Sequence, residues 1–137
     1  AHLGRTITTE AWTAARRHAT RVRPELLARA TRIGTHLRVA ILTNNGVLMA
    51  RQLPLIAPAL FPLFEGHAFA SAEFGASKPD AEVYTRCLEH LGIPAGDTLF
   101  IDDSEANVRG AIDADLHGHH YRDLPSLDAA LASFGLP

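Results

Sequence analysis

At 137 residues the chain has the length of one domain, enough to bury a hydrophobic core. Thirteen Lys and Arg against fifteen Asp and Glu leave a formal net charge of −2, which gives no electrostatic reason to expect nucleic acid or an anionic membrane as partner. No apolar run approaches the ~20 residues that span a bilayer, and Ala1-His2-Leu3-Gly4-Arg5 carries no signal-peptide core, so a cytoplasmic protein is expected.

Thr8-Thr9-Glu10 ahead of Ala11-Trp12 reads as a helix start, a hydroxyl cap followed by an early acid, with the helix running to about Thr20. Arg16, Arg17, Arg21 and Arg23 form a local basic run, but Glu10 and Glu25 flank it, as on a solvated helix face. Pro24 sits in the first turn of a second helix that Gly34 ends. Residues 37–43, Leu-Arg-Val-Ala-Ile-Leu-Thr, follow as a strand whose apolar residues are nearly continuous, the pattern of a parallel strand covered on both faces. A helix is expected over 46–56, with Pro54, Pro58 and Pro62 breaking up what lies behind it. The apolar residues from Leu53 to Phe64 suit either a core or an interface.

His67-Ala68-Phe69-Ala70 is a short strand candidate. Residues 80–91 are an amphipathic helix with Val83, Tyr84, Cys87, Leu88 and Leu91 on one face, ended by Gly92. The only cysteine, Cys87, therefore reads as a buried, inert thiol. A strand at 98–101, a helix from Ser104 to about Ala114, a strand at 117–121 and a helix from Pro125 to about Phe134 complete the chain. Strands and helices alternating at this spacing predict βαβ units and a parallel sheet.

Chemistry concentrates at three strand or helix ends. Phe100-Ile101-Asp102-Asp103-Ser104 is an apolar strand running into two adjacent carboxylates. Acids at the end of a buried strand are costly to desolvate and imply a compensating cation, most simply Mg²⁺. The strand at 37–43 ends in Thr43-Asn44-Asn45, and Ser77-Lys78-Pro79-Asp80 places a lysine just before a helix. In open α/β sheets ligands bind at the carboxyl ends of strands, so these segments can converge.

The three pieces, in this order, resemble the haloacid dehalogenase-like (HAD) hydrolases. The resemblance implies a Rossmann-like α/β core with flanking helices, and it covers nearly the whole chain. Thr43 matches the family's motif II, Lys78 its motif III and the Asp102-Asp103 pair its motif IV. By the same resemblance Thr43 and the following backbone amides, near Asn44, hold phosphoryl oxygens, Lys78 stabilises the transferring phosphate, and Asp103 with Asp102 binds Mg²⁺. Ser104 is a candidate helix cap and Asn107 a candidate to orient Asp103. The expected reaction is Mg²⁺-dependent hydrolysis of a small phosphorylated metabolite through an aspartyl-phosphate. The metal-free dehalogenase subgroup fits less well, since it departs from an acidic pair at this position.

Nothing before Thr43 resembles motif I, the Asp-x-Asp on the family's first strand that supplies the nucleophile. Asp113-Ala114-Asp115 has the literal spacing but follows a helix, and reads as that helix's polar end. His117, His119 and His120 alternate as strand residues and lack the acids or cysteines of a zinc site. By the resemblance, residues 1–22 are the end of a helical cap and residues 23–137 the core without its first strand. Such a core is expected to be a piece of a longer enzyme, or complemented by an N-terminal segment or by exchange in a homo-oligomer, or else closed on itself as an inactive binding module.

Overall fold

The computed structural model describes residues 9–13 and 22–137 of the chain. Residues 9–13 are helical; the rest of the helix expected to reach Thr20, and most of the expected cap segment, lie outside the described residues. Helix α1 is Pro24–Gly34, opened by a proline whose missing N–H would have no partner in a first turn. Strand β1 is Ile41–Thr43, helix α2 Val47–Ile56 and strand β2 Ala68–Ala70. Helix α3, Ala81–Leu91, then leads to β3, Leu99–Asp102, followed by α4, Glu105–Asp113, β4, His117–His120, and α5, Leu124–Ser133.

The chain divides into two compact units. The first takes the described residues up to Ile41 together with Leu48–Ala68. Its core is one face of α2, where Met49, Leu53 and Ile56 are buried with Ala57, and Trp12, Val22, Leu60, Phe61 and Ala68 pack against them. The apolar stretch from Leu53 to Phe64 is thus largely core, although Leu55 stays 58% exposed. Pro54 lies inside α2 instead of ending it.

The second unit comprises Leu42–Val47 and Phe69–Pro137. Val83, Tyr84 and Leu88 of α3 pack with Ala111 of α4 and with Leu116, and Leu42 and Phe100 from β1 and β3 rest against this cluster. Cys87 is buried as expected, and desolvation, with the Glu73 charge adding to it, pushes its thiol up to about 11. Strands β3 and β4 run parallel, with Leu99 opposite His117 and Asp102 opposite His120. The crossover that parallel pairing requires is α4. It packs so closely on β4 that a Cβ on Gly118 would lie 2.8 Å from the Val108 side chain.

Two expectations need correction. The first strand is three residues long, not seven: only its end pairs with β2, beginning with the Ile41 N–H, which donates to His67 O at 2.8 Å, and Leu37 is 47% exposed. Nor is β1 covered on both faces: none of its residues is buried, and β3 likewise holds no buried residue, with Ile101 39% exposed. Among the described residues β1 pairs with β2 and β3 with β4 in two separate sheets, so neither β1 nor β3 has the second neighbour that makes a central strand.

Helix α4 also meets the loop that carries Lys78. A Cβ on Gly110 would collide with the Pro79 carbonyl oxygen, main chain that cannot rotate away. Gly110→Ala is therefore expected to cost about 1–3 kcal/mol by overpacking. Gly96→Ala, with nothing within 4 Å of its new Cβ, should stay within about 0.5 kcal/mol of the parent in urea unfolding.

Candidate active site

Asp102 ends β3 with its side chain only 10% exposed, and three donors surround its carboxylate. The Ser104 N–H donates to Oδ1 at 2.8 Å, Lys78 Nζ donates to Oδ2 at 2.9 Å, and Asn107 Nδ2 donates to Oδ2 at 3.3 Å. Burial opposes ionisation, but the Ser104 N–H and the hydrogen bond and charge of Lys78 together outweigh it. The carboxyl is held below the ordinary aspartate value.

Lys78 is as enclosed as its partner, with a side chain 8% exposed. Besides Asp102, its Nζ donates to the carbonyl of Leu42 in β1 at 2.9 Å and lies 5.4 Å from the centroid of the Phe100 ring. One ammonium thus ties β1 to β3. Its main chain is fixed as well: the Lys78 N–H donates to Asn44 Oδ1 at 2.9 Å, and Asn44 Nδ2 donates to Lys78 O at 3.0 Å. The side chain of Asn44 is engaged in clamping the lysine's own peptide groups. Thr43 stands next to it at the end of β1, its hydroxyl accepting a hydrogen bond from Asn45 Nδ2.

The two acids of the pair differ in exposure, as neighbours on a strand end do: Asp102 is enclosed and Asp103 is exposed. Ser104 caps α4 as anticipated, its Oγ accepting from the Asn107 N–H at 3.2 Å. Asn107, expected to orient Asp103, reaches Asp102 instead, because the first turn of α4 lies over the carboxylate that faces inward. Asp113 and Asp115 are exposed at the end of α4 and in the turn after it, at the carboxyl end of no strand, and Asp115 has φ 72°.

Tyr84 and His120 also contribute, although the sequence marked neither as part of the site. The Tyr84 hydroxyl donates to the Asn107 carbonyl at 2.6 Å and so holds the first turn of α4. Desolvation foremost, then the charges of Asp102 and Asp80, push this phenol up to about 12, so it remains a donor. A tyrosine on the apolar face of α3 needs a hydroxyl partner once buried, and that was the available signal. His120 Nε2 lies 2.9 Å from the Asp103 carbonyl oxygen.

Among the described residues no three His, Cys, Asp or Glu side chains gather as a metal cage. The donors at this end are two carboxylates, one of them exposed. That set suits Mg²⁺, which takes one or two protein carboxylates and completes its shell with water and phosphate oxygens.

The sequence pattern of the haloacid dehalogenase-like hydrolases matches residues 5–115. The chain belongs to that family. It is 34% identical over 110 residues to phosphatase MT3486 of Mycobacterium tuberculosis (strain CDC 1551 / Oshkosh), covering 72% of this chain and 50% of that protein. Over 68 residues it is 37% identical to flavin mononucleotide hydrolase 1 of Arabidopsis thaliana, covering 50% of this chain and 28% of the relative. Over 61 residues it is 41% identical to sesquiterpene phosphatase astK of Aspergillus oryzae (strain ATCC 42149 / RIB 40), covering 44% and 31%. The chain thus spans half or less of the length of these relatives. A crystal structure of an uncharacterized protein from Corynebacterium glutamicum superposes with a TM-score of 0.58 at 25% identity, covering 96% of this chain and 88% of that one. The HAD-like Rossmann core expected from the sequence is therefore the fold of this chain.

The depressed value of Asp102 has a defined consequence for stability. The unfolded chain binds the proton more readily, so this carboxylate stabilises the fold above the ordinary aspartate value, ~3.9, and the contribution is lost as pH falls through the lower folded value. At pH 7 Asp102→Asn, which leaves Lys78 enclosed without its counter-charge, should cost about 2 kcal/mol. The gap between the urea midpoints of parent and variant should narrow as the pH is taken below ~4.

Proposed function

We propose that this chain is the part of a Mg²⁺-dependent HAD phosphatase that binds phosphate and cation, acting on phosphate monoesters of small organic molecules. The observation that carries the reading is Lys78 Nζ, 2.9 Å from both Leu42 O and Asp102 Oδ2. It joins the segments that resemble motifs II, III and IV at one end of the strands. Flavin mononucleotide hydrolase and sesquiterpene phosphatase, named among the relatives, support a phosphate ester as substrate.

In this reading Asp103, with Asp102, holds Mg²⁺, which when bound neutralises charge between an attacking carboxylate and the substrate phosphate. Thr43 offers its hydroxyl to the phosphoryl oxygens, and the main-chain N–H groups that follow it offer donors at the start of α2. Lys78 presents a fixed positive charge where negative charge builds up in the transition state. The nucleophile is an aspartate outside these residues. Its carboxylate oxygen attacks phosphorus as the ester oxygen leaves, and water then hydrolyses the aspartyl-phosphate.

The test combines an intact mass of the protein purified from its source with phosphate release from p-nitrophenyl phosphate. A polypeptide that carries an upstream strand and Asp-x-Asp should turn over with Mg²⁺, and Asp103→Asn should reduce its rate by at least about 100-fold. The 137 residues alone should show no turnover. Turnover by these residues alone that Asp113→Asn abolishes would move the nucleophile to Asp113. No turnover from the longer polypeptide would favour a HAD-like module kept for binding.

A further inference from the structure

We infer that His120 is a positioning residue for the acidic pair, holding the main chain of Asp103 so that its exposed carboxylate is presented at a fixed point. The register of β3 and β4 sets the geometry. Asp102 stands opposite His120, and the Asp102 carbonyl accepts the Tyr121 N–H at 2.8 Å, the last rung of the ladder. The next carbonyl, that of Asp103, lies beyond the ladder, and the His120 ring takes it, with Nε2 at 2.9 Å. A carbonyl oxygen can only accept, so Nε2 carries the proton and the ring is in its Nε2–H form at that atom.

Asp103 is thereby pinned on both sides. Ahead of it, the Asp102 carboxylate is fixed by Lys78 and by the Ser104 N–H, and its own carbonyl is fixed by His120. The remaining freedom of the Asp103 carboxylate is its own side-chain rotation. Groups that orient a metal-binding carboxylate typically change affinity 10–100-fold when removed. The part of the inference that concerns cation affinity rests on the proposed role of Asp103; the hold on the turn does not.

The experiment compares His120→Gln, whose amide nitrogen can still donate, with His120→Phe, which keeps a ring without a donor. Mg²⁺ alone is titrated into the parent and both variants by calorimetry, and amide hydrogen exchange at Ser104 is followed by NMR without metal. His120→Phe is expected to bind Mg²⁺ about 10-fold more weakly and to exchange Ser104 faster, with His120→Gln close to the parent in both. Unchanged Ser104 exchange in His120→Phe, or equal losses in the two variants, would overturn the inference. Faster exchange in His120→Phe alone, with no Mg²⁺ binding by the parent, would uphold the positioning role and remove the cation role of Asp103.

Discussion

The organisation of the second unit depends on one buried carboxylate. A strand that ends in an enclosed acid is unfavourable unless every lone pair facing inward finds a donor, and Asp102 draws its donors from three different places. Each supplier is in turn held by something else. Lys78 is held by the Asn44 clamp, and its loop by the close approach of Pro79 to Gly110; the Ser104 N–H is delivered by the turn that starts α4; Asn107 is held by the Tyr84 hydroxyl. Loosening any of these leaves Asp102 partly unpaired, so parts of the chain more than twenty residues apart answer to the same charge.

Lys78 has a second role that follows from the sheet arrangement. Successive residues of a strand direct their peptide groups to opposite edges. The Ile41 N–H is engaged on the β2 side, which directs the Leu42 carbonyl to the other edge of β1, and there it meets an ammonium. A lysine can satisfy one such carbonyl at the strand's end but cannot replace a strand. No residue of β1 or β3 is buried, and Ile101 is exposed.

The sequence made the α/β alternation, the α3 face and the convergence of Thr43, Lys78 and Asp102 legible, because each rests on a local pattern: apolar periodicity, a cap, a polar residue at a strand end. What it left illegible depends on partners far along the chain. The length of β1 is decided by pairing with β2, not by the apolar run that precedes it. Nothing local shows that the side-chain amide of Asn44 faces the Lys78 peptide groups, 34 residues on. Asn107 was assigned to the wrong acid of the pair because one step along the chain inverts the facing of a strand residue, and spacing alone did not say which acid lies under the helix. His120 read as a polar strand residue since its partner is a carbonyl, and a carbonyl carries no sequence signal.

The local charge balance argues for a cation at this end of the strands independently of any resemblance. Asp102 and Asp103 carry two negative charges, and Lys78, committed to Asp102, supplies one positive charge against them. The acid that Lys78 does not pair with is the exposed one. On the proposed reading a phosphate ester arriving there would bring further negative charge, and an attacking carboxylate would add more. One ammonium already spent on a buried partner cannot offset that sum, because repulsion between like charges in a partly desolvated site grows as water leaves. On the proposed reading a divalent ion on Asp103 would correct the balance at the exposed edge without disturbing the buried pair. The division between two adjacent aspartates, one enclosed and one presented outward, is what would let the same strand end hold the fold together and, on the proposed reading, offer a ligand to a metal.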